Sequence, residues 1–266
     1  MSTSSSKKIA VVTGASSGIG AVYADRLAKR GYDLVLVARR EERLQSLAAK
    51  IAKTHGVRVE PLVADLGTEA GQASVEQFLS STPDVSILVN NAGIARLAPI
   101  LGSPLQDSLS QIALNITALT RLSHAALPGL KARNEGAIIN IASAMALHSM
   151  PISSVYSGTK AFVLAFSRGL QQELADTGVK VQVVLPAATA TEVWDQSGVP
   201  LSALAPESVM AVDDLVDAAL LAFDKGEDVT WPSVADAEAI ERFESARAAL
   251  FATAQTGKVA PRLLAL

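Results

Sequence analysis

Three stretches of the chain, "KRGYDLVLVA", "THGVRVEPLV" and "DTGVKVQVVL", pass from a helical segment through a glycine into a run rich in valine and leucine. A glycine just past the last helical turn acts as a C-cap, and a short continuous apolar run after it reads as a strand buried on both faces. Further strands are predicted from "KIAVVT", "DVSILVN", "GAIINIAS" and "DVTW", with amphipathic helices such as "EERLQSLAAKIAK" and "FVLAFSRGLQQELA" between them. Strands alternating with helices at this spacing predict an α/β fold with a doubly wound parallel sheet of about seven strands. A β/α barrel has similar length, but barrels usually hold phosphate near their last strands, and here a glycine-rich loop follows the first. Pro128, inside the helical stretch "LSHAALPGLKAR", is expected to kink or end its helix.

Composition narrows the picture. No linker-like shift divides the 266 residues, so one domain is expected over 8–266, after a disordered tail at 1–7. That opening, "MSTSSSKK", lacks the apolar stretch of a signal peptide, and no apolar run nears the roughly 18 residues of a membrane span. A soluble protein with no membrane role is expected. The absence of cysteine excludes disulfides and thiolate chemistry and fits a cytoplasmic protein. A net charge of −3 with scattered basic residues gives no footprint for nucleic acid. His55, His124 and His148 lack metal-ligand spacing, so no metal site is expected, and His148 is noted only as a residue that would face a substrate.

The first strand runs into "TGASSGIG", Thr13 to Gly20. Gly14, Gly18 and Gly20 permit a sharp turn, close approach of backbone N–H groups to a pyrophosphate, and tight packing of the next helix; Ser16, Ser17 and Ile19 complete the loop. Ligands of open α/β sheets bind beyond the carboxyl ends of the strands, and the other strands end at Arg39, Asp65, Asn90–Asn91, Ser143 and Pro186. Together with Asn115 and the Tyr156–Lys160 stretch "YSGTK", these residues make the chain resemble a short-chain dehydrogenase/reductase from Lys8 to about Trp231. The resemblance implies a Rossmann-like fold in which Asp65 and Leu66 flank the adenine and Asn91, Ala92 and Gly93 line the cofactor cleft. Pro186, Thr189 and Thr191 would lie on the nicotinamide side. Where the family usually has Pro-Gly, this chain has Pro186-Ala187, and alanine does not easily take the positive φ that glycine permits.

Residues at i and i+4 share a helix face, so Lys160 is expected near the Tyr156 hydroxyl. Its charge, with that of an oxidised nicotinamide, favours phenolate; bringing a tyrosine from about 10 to about 7 needs roughly 4 kcal/mol. The resemblance makes Tyr156 the acid–base, has Ser143 orient the substrate oxygen, has Lys160 also hold the nicotinamide ribose, and has Asn115 position a water. On the other reading, Tyr156 and Lys160 are an exposed helix pair. After strand two the chain runs Ala38-Arg39-Arg40 with no acid until Glu41, which favours NADP over NAD because arginine accommodates a 2′-phosphate.

The expected pocket, from residues 94–97, 145–150 and a substrate loop at about 187–206 containing Trp194, is mostly apolar and suits a neutral ketone, aldehyde or alcohol; Arg96 would serve an anionic group if it points inward. The function implied is an NADP(H)-dependent carbonyl reductase or alcohol dehydrogenase, with a catalytically weak cofactor-binding sensor as the alternative. A group-transfer or dehydratase enzyme is disfavoured by the short region after strand six. Family resemblance implies a homo-tetramer or homo-dimer built on helices at about 104–133 and 155–176; a monomeric mass by light scattering at micromolar concentration would refute it.

Overall fold

The computed structural model describes residues 8–264, so the tail expected at 1–7 lies outside the described residues. Among these, one parallel sheet contains β1 (Ile9–Thr13), β2 (Asp33–Ala38), β3 (Val59–Val63), β4 (Val85–Asn90), β5 (Gly136–Ile141), β6 (Val179–Val184) and β7 (Val229–Thr230). Its order is β3-β2-β1-β4-β5-β6-β7, the expected doubly wound, Rossmann-like arrangement. The helices are α1 (Gly18–Lys29), α2 (Glu41–His55), α3 (Glu69–Ser81), α4 (Leu105–Ile112), α5 (Leu119–Arg133), α6 (Ser154–Glu173), α7 (Val212–Asp224) and α8 (Ala237–Ala254).

The apolar runs of β1 and β2 follow from burial on two faces, whereas β3, read as a buried strand, is largely exposed because it lies at the sheet edge. Ala10, Val12, Leu34 and Leu36 share a cluster with Leu27 of α1, Leu44 and Ile51 of α2 and Val216 of α7. Their neighbours Val11, Val35, Val37 and Leu88 belong to a second cluster with Val75 of α3 and Leu122 and Leu130 of α5. Each such side chain, fully buried, contributes about 1.5–3 kcal/mol, so a one-residue slip of register would trade two filled layers for none. Pro61, a poor residue for an inner strand, sits in β3 at the sheet edge, where a missing N–H is tolerated.

Two expectations are corrected. Helix α5 runs through Pro128 and ends at Arg133, with Asn134 in the left-handed region at φ 51°. Pro128 and His124, whose carbonyl it frees, are both exposed, while Leu122, Ala126 and Leu130 hold the helix to the core on its other side. Of the three glycines read as caps, Gly31 and Gly56 have positive φ, but Gly178 does not; a Cβ there would collide with the Asn134 carbonyl, so close approach is what requires glycine. The described chain divides into two compact units, one ending at Pro232 and the other beginning at Ser233. The first carries the sheet and α1 to α7. The second carries α8 and a short turn at Pro261–Leu263.

Candidate active site

The sheet order places β1 beside β4, so the chain leaves these neighbouring strands in opposite directions and a cleft opens beyond their carboxyl ends. Thr13 laces the two strand ends together. Its hydroxyl donates to Val89 O (3.1 Å) and accepts from the amides of Asn91 and Ala92 (3.0 Å each). The side-chain Nδ2 of Asn91 donates to Thr13 O at 2.8 Å. A Cβ on Gly14, where φ is 65°, would lie 2.8 Å from Asn91 Nδ2 and 2.9 Å from Ala92 Cα; one on Gly20 would lie 2.5 Å from Gly14 O. Backbone and the Asn91 amide therefore fill the space a side chain would need. Sequence reasoning assigned Thr13 no role, because its partners lie far along the chain. Thr13→Val should leave the half-buried Ala92 amide without its acceptor, and the Asn91 amide with only Val89 O (3.1 Å), and lower stability by about 1–2 kcal/mol, read as a lower urea midpoint. An unchanged midpoint would show that those amides find other partners.

Helix α1 starts at Gly18 with Ser17 extended before it; no side chain caps the helix and no acid lies in its first turn. Its first-turn amides therefore have neither a side-chain acceptor nor a neighbouring carboxylate, which makes this end suited to an anion. Gly14, Ser16, Ser17, Gly18 and Ile19 line the cleft with Asn91, Ala92 and Gly93, whereas Gly20 lies behind it. Arg40 reaches back to this loop, with Nη2 donating to Ser16 Oγ (2.9 Å) and Ser17 Oγ (2.6 Å). Arg39 is more exposed, and its nearest carboxylate oxygen, on Asp65, is 3.9 Å away. Asp65 and Leu66 line the same end of the cleft.

At the other end, Tyr156 and Lys160 lie on the first turns of α6, and Ser143 follows β5. Lys160 is buried; its Nζ donates to Ile141 O (2.8 Å) and lies 5.8 Å from the Tyr156 ring centre. The expected lowering of the phenol includes the charge of an oxidised nicotinamide; the protein's own groups act in the other direction. Burial pushes the Tyr156 pKa up to about 12, against a smaller opposing effect from a Ser143 hydrogen bond. Burial likewise lowers the Lys160 pKa to about 8, since no anion faces it. Within the protein alone Tyr156 is a protonated donor, and the lysine charge is turned toward a backbone carbonyl.

Asn115 sits in a π-helical turn, Ala113–Ala118, that joins α4 to α5. Its Oδ1 accepts from Ile94 N (2.9 Å), and its Nδ2 donates to Ile94 O (2.9 Å) and Thr159 Oγ1 (3.1 Å). It does not line the cleft. It fixes the segment after Gly93 against α6. The π turn, which no residue pattern announces, is what aims it there.

The remaining wall is the segment after β6. Pro186, Thr189 and Thr191 all line the cleft, and the methyl group of Thr191 covers Gly18 so closely that a Cβ there would come within 3.1 Å. Ala187 has no positive φ, since Asn134 is the only such non-glycine among the described residues, so the departure from Pro-Gly introduces no backbone strain. Trp194 Nε1 donates to Thr189 O (2.8 Å). Arg96 lines the cleft but is already engaged: its Nη2 donates to Gln196 Oε1 (3.1 Å) and its Nη1 to Gln196 O, fastening this loop, and its Nε lies 3.9 Å from Asp107 Oδ1. His148 is exposed and does not line the cleft. Glu192, unremarked in the sequence, accepts from Arg40 and from Arg43 at 2.6 Å each. The whole cleft is about 620 Å³, within the size of small-molecule sites.

Among the described residues no helix is long and apolar enough to cross a membrane, and no cluster of His, Asp and Glu is placed to hold a metal. On α4, Leu105, Leu109 and Ile112 form an exposed apolar stripe; on α6, Phe162 stacks on Phe166 (5.7 Å between ring centres) while Leu170 is buried.

Comparison with known proteins places these features in context. The family model described as short chain dehydrogenase matches residues 8–199. Very-long-chain 3-oxoacyl-CoA reductase-A of Danio rerio is 36% identical over 210 residues, 77% of this chain and 66% of that protein. The chain spans 60 to 66% of the length of the curated reductases of that name that it matches. A short-chain dehydrogenase from Sphingobium yanoikuyae in complex with NADPH superposes with a TM-score of 0.92 at 45% identity, covering 96% of this chain and 99% of that one. The bulky-bulky ketone specific alcohol dehydrogenase of Comamonas testosteroni gives 0.88 at 38% identity, covering 97% and 99%.

Proposed function

The chain belongs to the short-chain dehydrogenase family, and from that premise we propose that it reduces a bulky, mainly apolar ketone to the alcohol, and runs the reverse, with NADP(H) as hydride carrier. The observation that supports this most is the meeting, in one cleft, of Ser143, Tyr156 and Lys160 with a glycine cradle whose added Cβ atoms have no room. The adenosine end fits a phosphorylated ribose: the first turn of α1 has no acid, Arg40 stands over Ser16 and Ser17, and Arg39 lines the same cleft 3.9 Å from Asp65. When bound, the nicotinamide gives or takes the hydride. In reduction Tyr156 hands its proton to the carbonyl oxygen, to which Ser143 also donates. Lys160, as ammonium, stabilises the phenolate left behind.

Ile94, Leu97, Met145, Met150, Trp194 and Leu204 supply the apolar wall that would receive substrate. The Comamonas enzyme acts, by its name, on ketones flanked by two bulky groups, and the Danio rerio protein on a long-chain 3-oxoacyl thioester. Both support a large ketone.

The test is NADPH oxidation against a bulky aryl ketone, a steroid ketone and a 3-oxoacyl thioester, beside NADH. Arg40→Ala should weaken NADPH by about tenfold or more, because charge-assisted hydrogen bonds are lost, and leave NADH little changed. Adding Arg39→Asp should bring the kcat/KM ratio of the two cofactors to unity or invert it. A wild-type preference for NADH would refute the cofactor assignment, and tight NADPH binding without turnover of any ketone would leave a cofactor-binding sensor.

A further inference from the structure

All three arginines around the adenosine end of the cleft have a carboxylate nearby. Arg40 and Arg43 each hold one oxygen of Glu192 at 2.6 Å. Arg39 is 3.9 Å from Asp65. Glu192 does not belong to that end of the fold: it opens the short helical turn Glu192–Gln196 in the loop after β6, directly after Thr191 and two residues before Trp194. One carboxylate thus fastens the substrate loop to α2 and its N-cap, across the mouth of the phosphate cradle. The same Arg40 guanidinium holds Ser16 and Ser17 through its other nitrogens, so its donors toward the cradle and its donor toward the loop belong to one rigid plane.

We propose that Glu192 is a cofactor-discriminating latch: it holds the substrate loop closed on Arg40 and Arg43, and the 2′-phosphate of NADP(H) competes with it for those guanidinium groups, so that loop position depends on the phosphate that distinguishes NADP from NAD. The inference rests on the NADP(H) reading above. A dianionic phosphate entering beside Ser16 meets a carboxylate at its own binding partner, and two anions sharing one exposed arginine repel. A dinucleotide without that phosphate leaves the pair untouched. Because all three side chains of the latch are exposed, it is weak enough to be displaced and is screened by salt.

The experiment uses two fragments that lack the nicotinamide, adenosine 2′,5′-bisphosphate and 5′-AMP, titrated calorimetrically into the full-length wild type and Glu192→Gln. Glutamine keeps the shape and removes the charge. The latch predicts about three- to tenfold tighter binding of the bisphosphate to the variant, no change for 5′-AMP, and loss of the difference at about 1 M salt, where screening acts within about 3 Å. Trp194 reports the loop, with Trp231→Phe as background. Its emission should respond to the bisphosphate and not to 5′-AMP in the Glu192 protein, and should start at the shifted value in Glu192→Gln. Equal bisphosphate affinities in the two proteins, weaker binding in the variant, or Trp194 emission that ignores the bisphosphate would each overturn the latch while leaving the NADP(H) reading intact if wild type still prefers the bisphosphate. Equal binding of the two fragments by wild type would overturn both.

Discussion

Tyr156→Phe is expected to lower kcat by at least about a hundredfold while leaving the affinity for NADPH nearly unchanged. On the proposed mechanism the phenol supplies the proton that the carbonyl oxygen takes up, and positioned acid–base catalysis contributes about 10² to 10⁴. Phenylalanine keeps the ring and its packing in α6, and removes only the hydroxyl with its Ser143 hydrogen bond. The phenol is protonated at pH 7 in both the folded and the unfolded chain, so its raised pKa contributes nothing to stability there, and the denaturation midpoint should fall only by the lost Ser143 hydrogen bond, about 1 kcal/mol or less. A variant that kept a tenth of its turnover would remove Tyr156 from the mechanism.

Lys160→Met should produce the opposite pairing of effects, an enzyme that is disabled yet more stable. Loss of the ammonium removes the charge that stabilises the phenolate and a donor at the cofactor cleft, so kcat should fall by about a hundredfold or more and cofactor affinity with it. The stability change follows from linkage. The folded pKa of about 8 lies below the ordinary 10.5, so the unfolded chain binds more protons between those values and wild-type stability rises with pH across that window. Below pH 8 the buried charge costs about 3 kcal/mol. Methionine removes that cost and leaves the Ile141 carbonyl without its partner, a smaller loss, so the midpoint at pH 7 should rise and the increase between pH 8 and 10.5 should vanish. In wild type, kcat/KM for reduction should decline as pH passes about 8, where Lys160 loses its proton, and not near 12, where Tyr156 would. A flat profile through pH 9, or a variant less stable than wild type at pH 7, would contradict this account.

What the sequence disclosed and what it hid divide along the range of the interactions. The strands, their parallel pairing and the glycine cradle are written in local periodicity and in residues a few positions apart, and so is the Tyr156–Lys160 face of α6. Contacts between distant segments were not legible. Thr13 lacing β1 to β4, Asn115 clamping Ile94, Arg96 spent on Gln196, and Glu192 crossing to Arg40 all depend on how elements meet. The protonation of Tyr156 belongs with these. Spacing gave its nearness to a positive charge but not the shielding from water that raises its pKa against the Ser143 hydrogen bond. Pro128 failed as a stop signal for a related reason, since a helix anchored on its buried side tolerates one lost bond on its wet side.

The π turn at Ala113–Ala118 bears on how this chain tolerates insertion and deletion. Each i→i+5 bond encloses one residue more than an α-helical bond, so removing a single residue from this turn would let α4 and α5 fuse into one regular helix, with a better hydrogen-bond ladder. That same deletion would turn everything before it by about 100° relative to α5. Gln111, which accepts from the Arg96 amide (3.0 Å), would leave its place, and the clamp on Ile94 would lose its aim. The shorter chain would form the sounder helix and the poorer enzyme, so this extra residue is a length that local stability works against and the site requires.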